Sequence, residues 1–317
     1  MGQFVQFAIN GLMAGAIYAL IAVGIVSVYK ATKVVNFAHG YLIMFGAYFY
    51  FTFAVIVPGQ PWAPAWLASW QPGWMVEMRG ELPMFSPVAA VLDWVANLPR
   101  ILLGLAGALV CNAILGRIIE RVLMRPLMGQ SIFAMIMVTV GLISILSGAA
   151  QLIWTADAAS VPYIAPNMPI RFELFGTMIF LFGTDLVNMV VALLLFGGIV
   201  AFVKFTKGGI AIRATAEDQS TAYSMGISVP KVFSRAWVLA STTGAIAGAI
   251  LATRNGISPS LGLFGFSVLA IVVGVLEAMT QWQMGGGWAE IVPYVTVLVV
   301  LIWRPHGLMG QKEVERI

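Results

Sequence analysis

Charge is scarce in this chain. Asp, Glu, Lys and Arg make up 9% of the 317 residues, where a soluble domain carries about 25%. Cysteine is nearly absent. Cys111 stands alone, which excludes an internal disulfide and any cysteine-built metal cluster. It lies in an apolar run and is expected to be a packed thiol. No G-x-x-x-x-G-K-[ST] phosphate loop, H-E-x-x-H, G-x-S-x-G or C-x-x-C occurs, so the chemistries tied to those motifs are not expected here. The net charge of +4 is too small and too dispersed to call for a nucleic-acid partner. Met1 to Asn10 has no basic n-region, so the first apolar run is expected to be retained rather than cleaved.

What fills the chain instead is apolar sequence. Hydrophobic residues are 60% of it and mean hydropathy is +0.94. Residues 1–29, 34–76, 101–116, 126–156, 186–203, 236–253 and 255–276 carry no formal charge. A hydrocarbon core about 30 Å thick is crossed by roughly 20 apolar helical residues. Most of these runs are long enough to span, which predicts an all-α, polytopic membrane bundle of about eight transmembrane helices.

Basic residues cluster at Lys30 and Lys33, at Arg117, Arg121 and Arg125, and across 204–235. The connections at 58–100 and 157–185 are acid-balanced. The positive-inside bias places the first set in the cytoplasm and the second outside, with the N-terminus outside. Spans are then expected near 4–29, 34–57, 100–117, 130–155, 186–204 and 236–253, within a single permeating domain over 1–317. The tail from Arg304 to Ile317 holds three basic and two acidic residues, a weak vote for inside.

The external connection 58–100 contains Trp62, Trp66, Trp70, Trp74 and Trp94 and seven prolines. Indoles favour the headgroup level, so a belt on the outer membrane surface is one reading and a docking surface for a soluble receptor is the other. Small residues recur every four positions at Gly11, Gly15 and Ala19, and at Ala240, Gly244, Gly248 and Ala252. That spacing lets helix backbones approach closely in lipid.

Two segments could carry function. In 204–235, Ile212, Ala216, Tyr223 and Met225 give a partly amphipathic helix, Gly226 fits an αL stop, and Pro230 sits where a new helix can begin. The segment suits docking to a cytoplasmic partner, or is a solvated loop. In Asn36-Phe37-Ala38-His39-Gly40, Asn36 is a natural N-cap for the second span. His39 is one of two histidines and lies near the inner interface. It is either a packed structural group or part of a path or gate. Membrane-depth acids are few, Glu277 and Glu290 flanking the last apolar stretches, which argues against a proton relay.

Read together, these residues resemble the permease subunit of branched-chain amino acid ABC transporters, of the first of two permease types. The resemblance is carried by Gly11, Gly15, Tyr18-Ala19-Leu20, Ala22 and Gly24, by Asn36-Phe-Ala-His-Gly40 and Gly46-Ala47-Tyr48, and by Glu120-Arg121, Arg125-Pro126-Leu127 and Thr139-Val-Gly141-Leu142. It continues through Gly208, Arg213-Ala214, Ala216-Glu217, Gly226-Ile227 and the tail Arg304-Pro-His-Gly307-Leu-Met-Gly310.

The resemblance implies several things. The chain would be a non-enzymatic transport subunit of a bacterial-type inner membrane. ABC ATPase subunits, a second homologous permease, an extracytoplasmic solute-binding protein and the lipid bilayer would be its partners. ATP and magnesium would be held on the partner subunits, with no cofactor on this chain. Arg213, Ala214, Ala216, Glu217, Asp218, Gly226 and Ile227 would couple to the ATPases, and Asn36, His39 and Tyr18 would line the path or gate. Relatives in the family also carry urea, short amides and other small solutes, and a stand-alone secondary transporter or channel is the competing class. Two departures stand out. Tyr41 occupies a position where the family often has an acid. Leu269–Val273 runs directly into Gly274–Ala278, as though about one helix length, roughly 20 residues, were missing.

Overall fold

The computed structural model describes residues 2–61, 63–68, 70–83, 86–155, 157–174 and 176–266, with isolated positions between 276 and 299. The chain opens with α1 (Gly2–Thr32) and α2 (His39–Phe51), which runs on into a π-helical turn at Thr52–Ile56. Three short helices follow, α3 (Ala65–Ala68), α4 (Gly73–Glu81) and α5 (Pro87–Ala96). Then comes α6 (Leu98–Ile119), ending in a second π turn at Glu120–Met124 and a 3-10 turn at Arg125–Leu127. After α7 (Ile132–Trp154), an antiparallel hairpin of β1 (Pro169–Leu174) and β2 (Thr177–Phe182) leads into α8 (Gly183–Phe205). Two small helices, α9 (Lys207–Glu217) and α10 (Gln219–Ser224), precede α11 (Val229–Asn255). A 3-10 segment covers Pro259–Phe266.

Among the described residues six helices are long and apolar enough to cross a membrane: α1, α2, α6, α7, α8 and α11, the second and third with their terminal turns. The expected count of about eight would need further spans after 266. Those stretches, the Val273–Gly274 junction, Glu277, Glu290, the tail and Trp62 lie outside the described residues.

The connections separate into two ends. Lys30, Arg117, Arg125 and the α9–α10 segment share one end. The 58–97 segment, the hairpin, the start of α8 and the end of α11 share the other. An Asp185–Arg254 ion pair of 3.2 Å joins α8 to α11 at that second end.

Three helices form the centre. In α1, α2 and α11 two-thirds or more of the spanning residues are buried, and in α6, α7 and α8 fewer than a third. The peripheral helices turn large apolar side chains outward, among them Leu102, Val110, Phe133, Leu152 and Leu194. Lipid tails are as apolar as these side chains, so outward exposure carries no penalty, and close association depends on small residues and hydrogen bonds.

Both are found where α2 crosses α11. A Cβ on Gly46 would lie 2.5 Å from Ala245 Cα and 2.9 Å from Gly244 O. One on Gly248 would collide with Ile43 O and sit 2.8 Å from Ala47 N. The α11 stripe Ala240, Gly244, Gly248 and Ala252 is thus at or beside the backbone of α2. Gly11 and Gly15 on α1 are also buried. Gly116 of α6 meets Ser241 and the Trp237 carbonyl of α11. Asn112, fully buried, donates from Nδ2 to Leu42 O at 3.1 Å and to Ser241 O at 2.7 Å, tying α6 to both central helices.

The outer π turn has a local cause. Thr52 Oγ1 donates back to Tyr48 O and accepts from Trp154 Nε1 at 2.7 Å. Val57 N closes the wide turn on Thr52 O. The Ala54 carbonyl, free of the α-helical ladder, accepts from Arg100 Nε at 2.9 Å. Side-chain insertion of this kind is a recognised origin of helix irregularity.

To the expected helical bundle the structure adds this one hairpin among the described residues. β1 alternates apolar and polar residues, β2 is apolar from Met178 to Phe182, and Gly176, at φ +71°, suits the turn. Gln6 of α1 extends the pairing, donating to Phe180 O at 2.6 Å and accepting from Phe180 N at 2.7 Å. The structure corrects three expectations. First, Asn36 is not the cap of α2. Its Oδ1 accepts from Ala38 N at 3.0 Å in an Asx turn, and the cap falls two residues later, at Ala38. Secondly, residues 229–235 belong to α11 rather than to a loop, because Pro230 sits in its first turn. Finally, Cys111 is only partly buried.

Gly248→Ala tests the central crossing. Overpacking of this kind costs about 1–3 kcal/mol, so the thermal midpoint of the purified chain falls. Gly141→Ala, with open space around its Cβ, leaves the midpoint unchanged or slightly raised. Equal midpoints for the two variants would contradict the close approach.

Candidate functional site

The expected site residues fall into two groups on the end that bears Lys30 and Arg117. The first is the platform formed by α9 and α10. Thr206 caps α9, accepting from Gly209 N at 3.1 Å. Arg213 donates to Lys204 O at 3.1 Å, holding α9 to the end of α8. Gly209 lies so close to the Phe202 and Val203 carbonyls that no side chain fits there.

Asp218 divides the platform. Its extended backbone ends α9, and its carboxylate caps α10 by accepting from Thr221 N at 2.6 Å and Ser220 Oγ at 2.7 Å. These bonds favour the ionised form, so the carboxyl is held below its ordinary value of 3.8, first by the Thr221 amide and then by the Ser220 hydroxyl. The cap is therefore fully formed above that value and is lost as pH falls through the depressed one. Gly226, at φ +83°, closes α10. Its N–H meets Tyr223 O at 2.9 Å and Ile227 N–H meets Ala222 O at 3.0 Å, the paired bonds of a Schellman turn.

One amphipathic helix from Ile212 to Met225 was expected, and the break at Asp218 overturns it. Ile212, Thr215 and Ala222 face inward. Tyr223 is 71% exposed and Met225 79%, so both project away from the protein. Arg213, Glu217, Asp218 and Gly226 are exposed, and Ala214, Ala216 and Ile227 half-buried.

The second group surrounds His39. The ring is 1% exposed, and neither nitrogen has a partner among the described residues. A Cβ on Gly24 would lie 2.7 Å from His39 Nε2 and 2.9 Å from Thr243 Oγ1, so Gly24 makes the room for the imidazole between α1, α2 and α11. Asn36 is also buried, with Nδ2 unpartnered among the described residues. Tyr18 lies in the main core of the same bundle. Asn36 and His39 are thus brought together, apart from the platform residues.

Sequence reasoning missed the polar residues at the opposite end. A recess of about 620 Å³ is lined by Asn97, Arg100, Ser160, Tyr163, Thr253 and Arg254. A neighbouring one of about 310 Å³ shares Tyr163, Thr253 and Arg254 and adds Asn167, Thr184 and Asp185. Arg254 is paired with Asp185, while Arg100 has no carboxylate partner among the described residues. Arg100 and Arg254 are visible in the sequence as cations bounding apolar runs. Only the fold shows that they share a recess.

Near the platform, Glu120 is fully buried and held bidentately by Arg125 at 2.9 and 3.0 Å. Arg125 remains 34% exposed. The two losses are therefore unequal. Arg125→Ala leaves the buried carboxylate with only the distant Arg117, at 4.0 Å, and costs about 3 kcal/mol. Glu120→Gln leaves a guanidinium that water can reach, and costs less. Thermal unfolding of the two variants gives that order, and the reverse order contradicts the burial of Glu120.

Comparison with known proteins adds the family. A family described as the permease component of the branched-chain amino acid transport system matches residues 7–301. The chain is 26% identical to the high-affinity branched-chain amino acid transport system permease protein BraD of Pseudomonas aeruginosa, covering 99% of this chain and 98% of that one. It is 25% identical to the corresponding permease LivH of Escherichia coli K12, with the same coverage. It is 22% identical to a probable LivH of Methanocaldococcus jannaschii, covering 92% of this chain and 88% of that one. The alignment to BraD runs over 335 positions, more than the 317 residues of the chain, so that relative has positions with no counterpart here. No solved structure matches the chain. With several spanning helices and a match over nearly its whole length, this multi-pass inner-membrane protein belongs to the family of branched-chain amino acid transport permeases.

Proposed function

We propose that the chain is the permease subunit of an ATP-driven ABC importer for branched-chain or related apolar amino acids. In this reading ATP is hydrolysed on separate ATPase chains, a second permease completes the path, and an extracytoplasmic binding protein delivers the substrate. The observation that carries the cytoplasmic half is the pair of exposed apolar side chains, Tyr223 and Met225, on a short capped helix rooted in two spans. Large apolar groups held in water on a rigid element suit a partner interface. Arg213, Ala214, Ala216, Glu217, Asp218, Gly226 and Ile227 shape that platform.

The crossing of α2 and α11 leaves no room for a solute between those two helices, because they touch through backbone at Gly46 and Gly248. The path therefore runs beside them. Asn36 and His39 lie at its inner end, and the recess with Arg100, Arg254 and Asp185 at its outer end. An amino acid reaching that recess would find a guanidinium for its carboxylate.

Reconstitution with the ATPases, the second permease and the binding protein tests the reading. Leucine uptake depends on ATP. Tyr223→Asp with Met225→Asp lowers it at least about tenfold, the equivalent of 1.4 kcal/mol of lost docking, with the amount of chain in the membrane unchanged. Gly226→Val, strained at positive φ, lowers it too. ATP-independent solute movement by the chain alone would overturn the importer. Uptake of urea or short amides with no uptake of leucine would overturn the substrate.

A further inference from the structure

The segment between α2 and α6 is a small folded body with its own interior. Met75 of α4 and Leu92 and Ala96 of α5 are buried against one another with Leu82 and Val95. Arg79 clasps Asp93 bidentately at 2.9 and 3.1 Å, fixing α4 to α5. Trp94 Nε1 donates to Ile164 O at 2.9 Å, and Trp70 N to Ala96 O at 2.9 Å. These contacts fix α4 to α5 and the body to the 157–168 connection.

Its outer surface is different. Trp66, Trp70 and Trp74 follow at intervals of four residues and are 58%, 45% and 55% exposed. Met78, one turn after Trp74 on α4, is exposed, as are Val88 and Val91 on α5. A cluster of large exposed apolar side chains on a folded element marks a surface that meets a partner or a membrane.

Position identifies the partner. Only Asn97 separates α5 from spanning helix α6, and α2 ends just before the segment begins. The body cannot leave the membrane surface. With Asp93 as its one charged residue, α5 is an apolar helix of ten residues, too short to cross, and the exposed apolar side chains continue at Leu102 on α6.

We infer that the 58–97 segment is an interfacial anchor, seated in the outer leaflet with Trp66, Trp70, Trp74 and Met78 at the headgroup–acyl boundary of phospholipid. Indoles are stable there because the ring is apolar and the N–H stays within reach of headgroups and water. Glu77 and Glu81, three and seven residues after Trp74, share or flank that face of α4, so their carboxylates keep the helix at the headgroup level and no deeper. Seated this way, the anchor holds the outer end of α6, and with it Arg100, at a fixed depth. This inference needs only the membrane location and not the transport reading.

Spin labels test it on the full chain in phospholipid vesicles, in a Cys111→Ala background. Labels are placed through Trp74→Cys, Met78→Cys and, on another face of α4 with open space around it, Gly80→Cys. The ratio of collisions with oxygen to collisions with a water-soluble nickel chelate is several-fold higher at 74 and 78 than at 80. Equal, water-like ratios at all three positions overturn the anchor. So does protection at 74 and 78 that arises only on adding a soluble extracytoplasmic protein, which would make the surface a receptor dock. A second measurement needs no label. Brominated phospholipid quenches the tryptophan fluorescence of the unmodified chain, and the quenched share falls in the triple variant Trp66→Phe, Trp70→Phe, Trp74→Phe. An unchanged share overturns the proposal.

Discussion

The contact on which the rest of this bundle depends is the backbone-to-backbone crossing of α2 and α11. In a bilayer, burying a leucine between helices gains little over leaving it in lipid, so association rests on close packing and hydrogen bonds. Gly46 and Gly248 bring the two backbones together, and Asn112 then bridges a carbonyl of each from α6. A carbonyl already within a helix has a second lone pair, and a buried amide in hydrocarbon has no water to turn to. The asparagine therefore locks three helices in register. Around this centre the other spans can be apolar and loosely specified on their outer faces.

Polarity is pushed to the two ends, and each end is built on a π turn. At the outer end Thr52 widens α2 and frees the Ala54 carbonyl for Arg100. At the inner end the turn at Glu120–Met124 brings Glu120 and Arg125 five residues apart into a bidentate pair. Both place an arginine at one end of the α6 span, and in both a fixed acceptor on a helix sets its position. Such devices fit a protein that must keep charges at defined depths at its two faces.

The spans were legible in the sequence because hydrocarbon imposes one length and one composition on all of them. The glycine spacing on α11 was legible for a related reason, since helical geometry turns a four-residue repeat into a face. The hairpin at 169–182 was less legible, because only β1 alternates: β2 is apolar from Met178 to Phe182 and runs on into α8 without a polar break. The role of Asn36 was misread by two residues because an asparagine bonds as readily to the amide two residues on as it caps a helix. The outer recess could not be read at all. Arg100, Asp185 and Arg254 sit far apart in the chain, and only the crossing of α11 beside α2 brings them to one place. The platform falls between these cases. Gly226 and Pro230 announced a stop and a start, but the break at Asp218 depends on a cap whose partners, Ser220 and Thr221, are unremarkable as sequence.

The way the platform is joined to the spans bears on how a push on it can travel. A single residue, Thr206, separates α8 from α9, and its side chain caps the second helix while bonding back to the first through Phe202 O. At the other side the Schellman turn at Gly226 and the Ser228 carbonyl, which accepts from Lys231 N and Val232 N, lead into α11 within four residues. Neither joint resembles a flexible linker, since each is closed by hydrogen bonds rather than by slack chain. A displacement of α10 is therefore delivered to α8 and α11. Because α11 is fixed to α2 through glycine contacts and to α6 through Asn112, it cannot move alone. A push on Tyr223 and Met225 therefore meets the close-packed centre of α11, α2 and α6 rather than a single helix, and the same α11 ends at Arg254 on the far face.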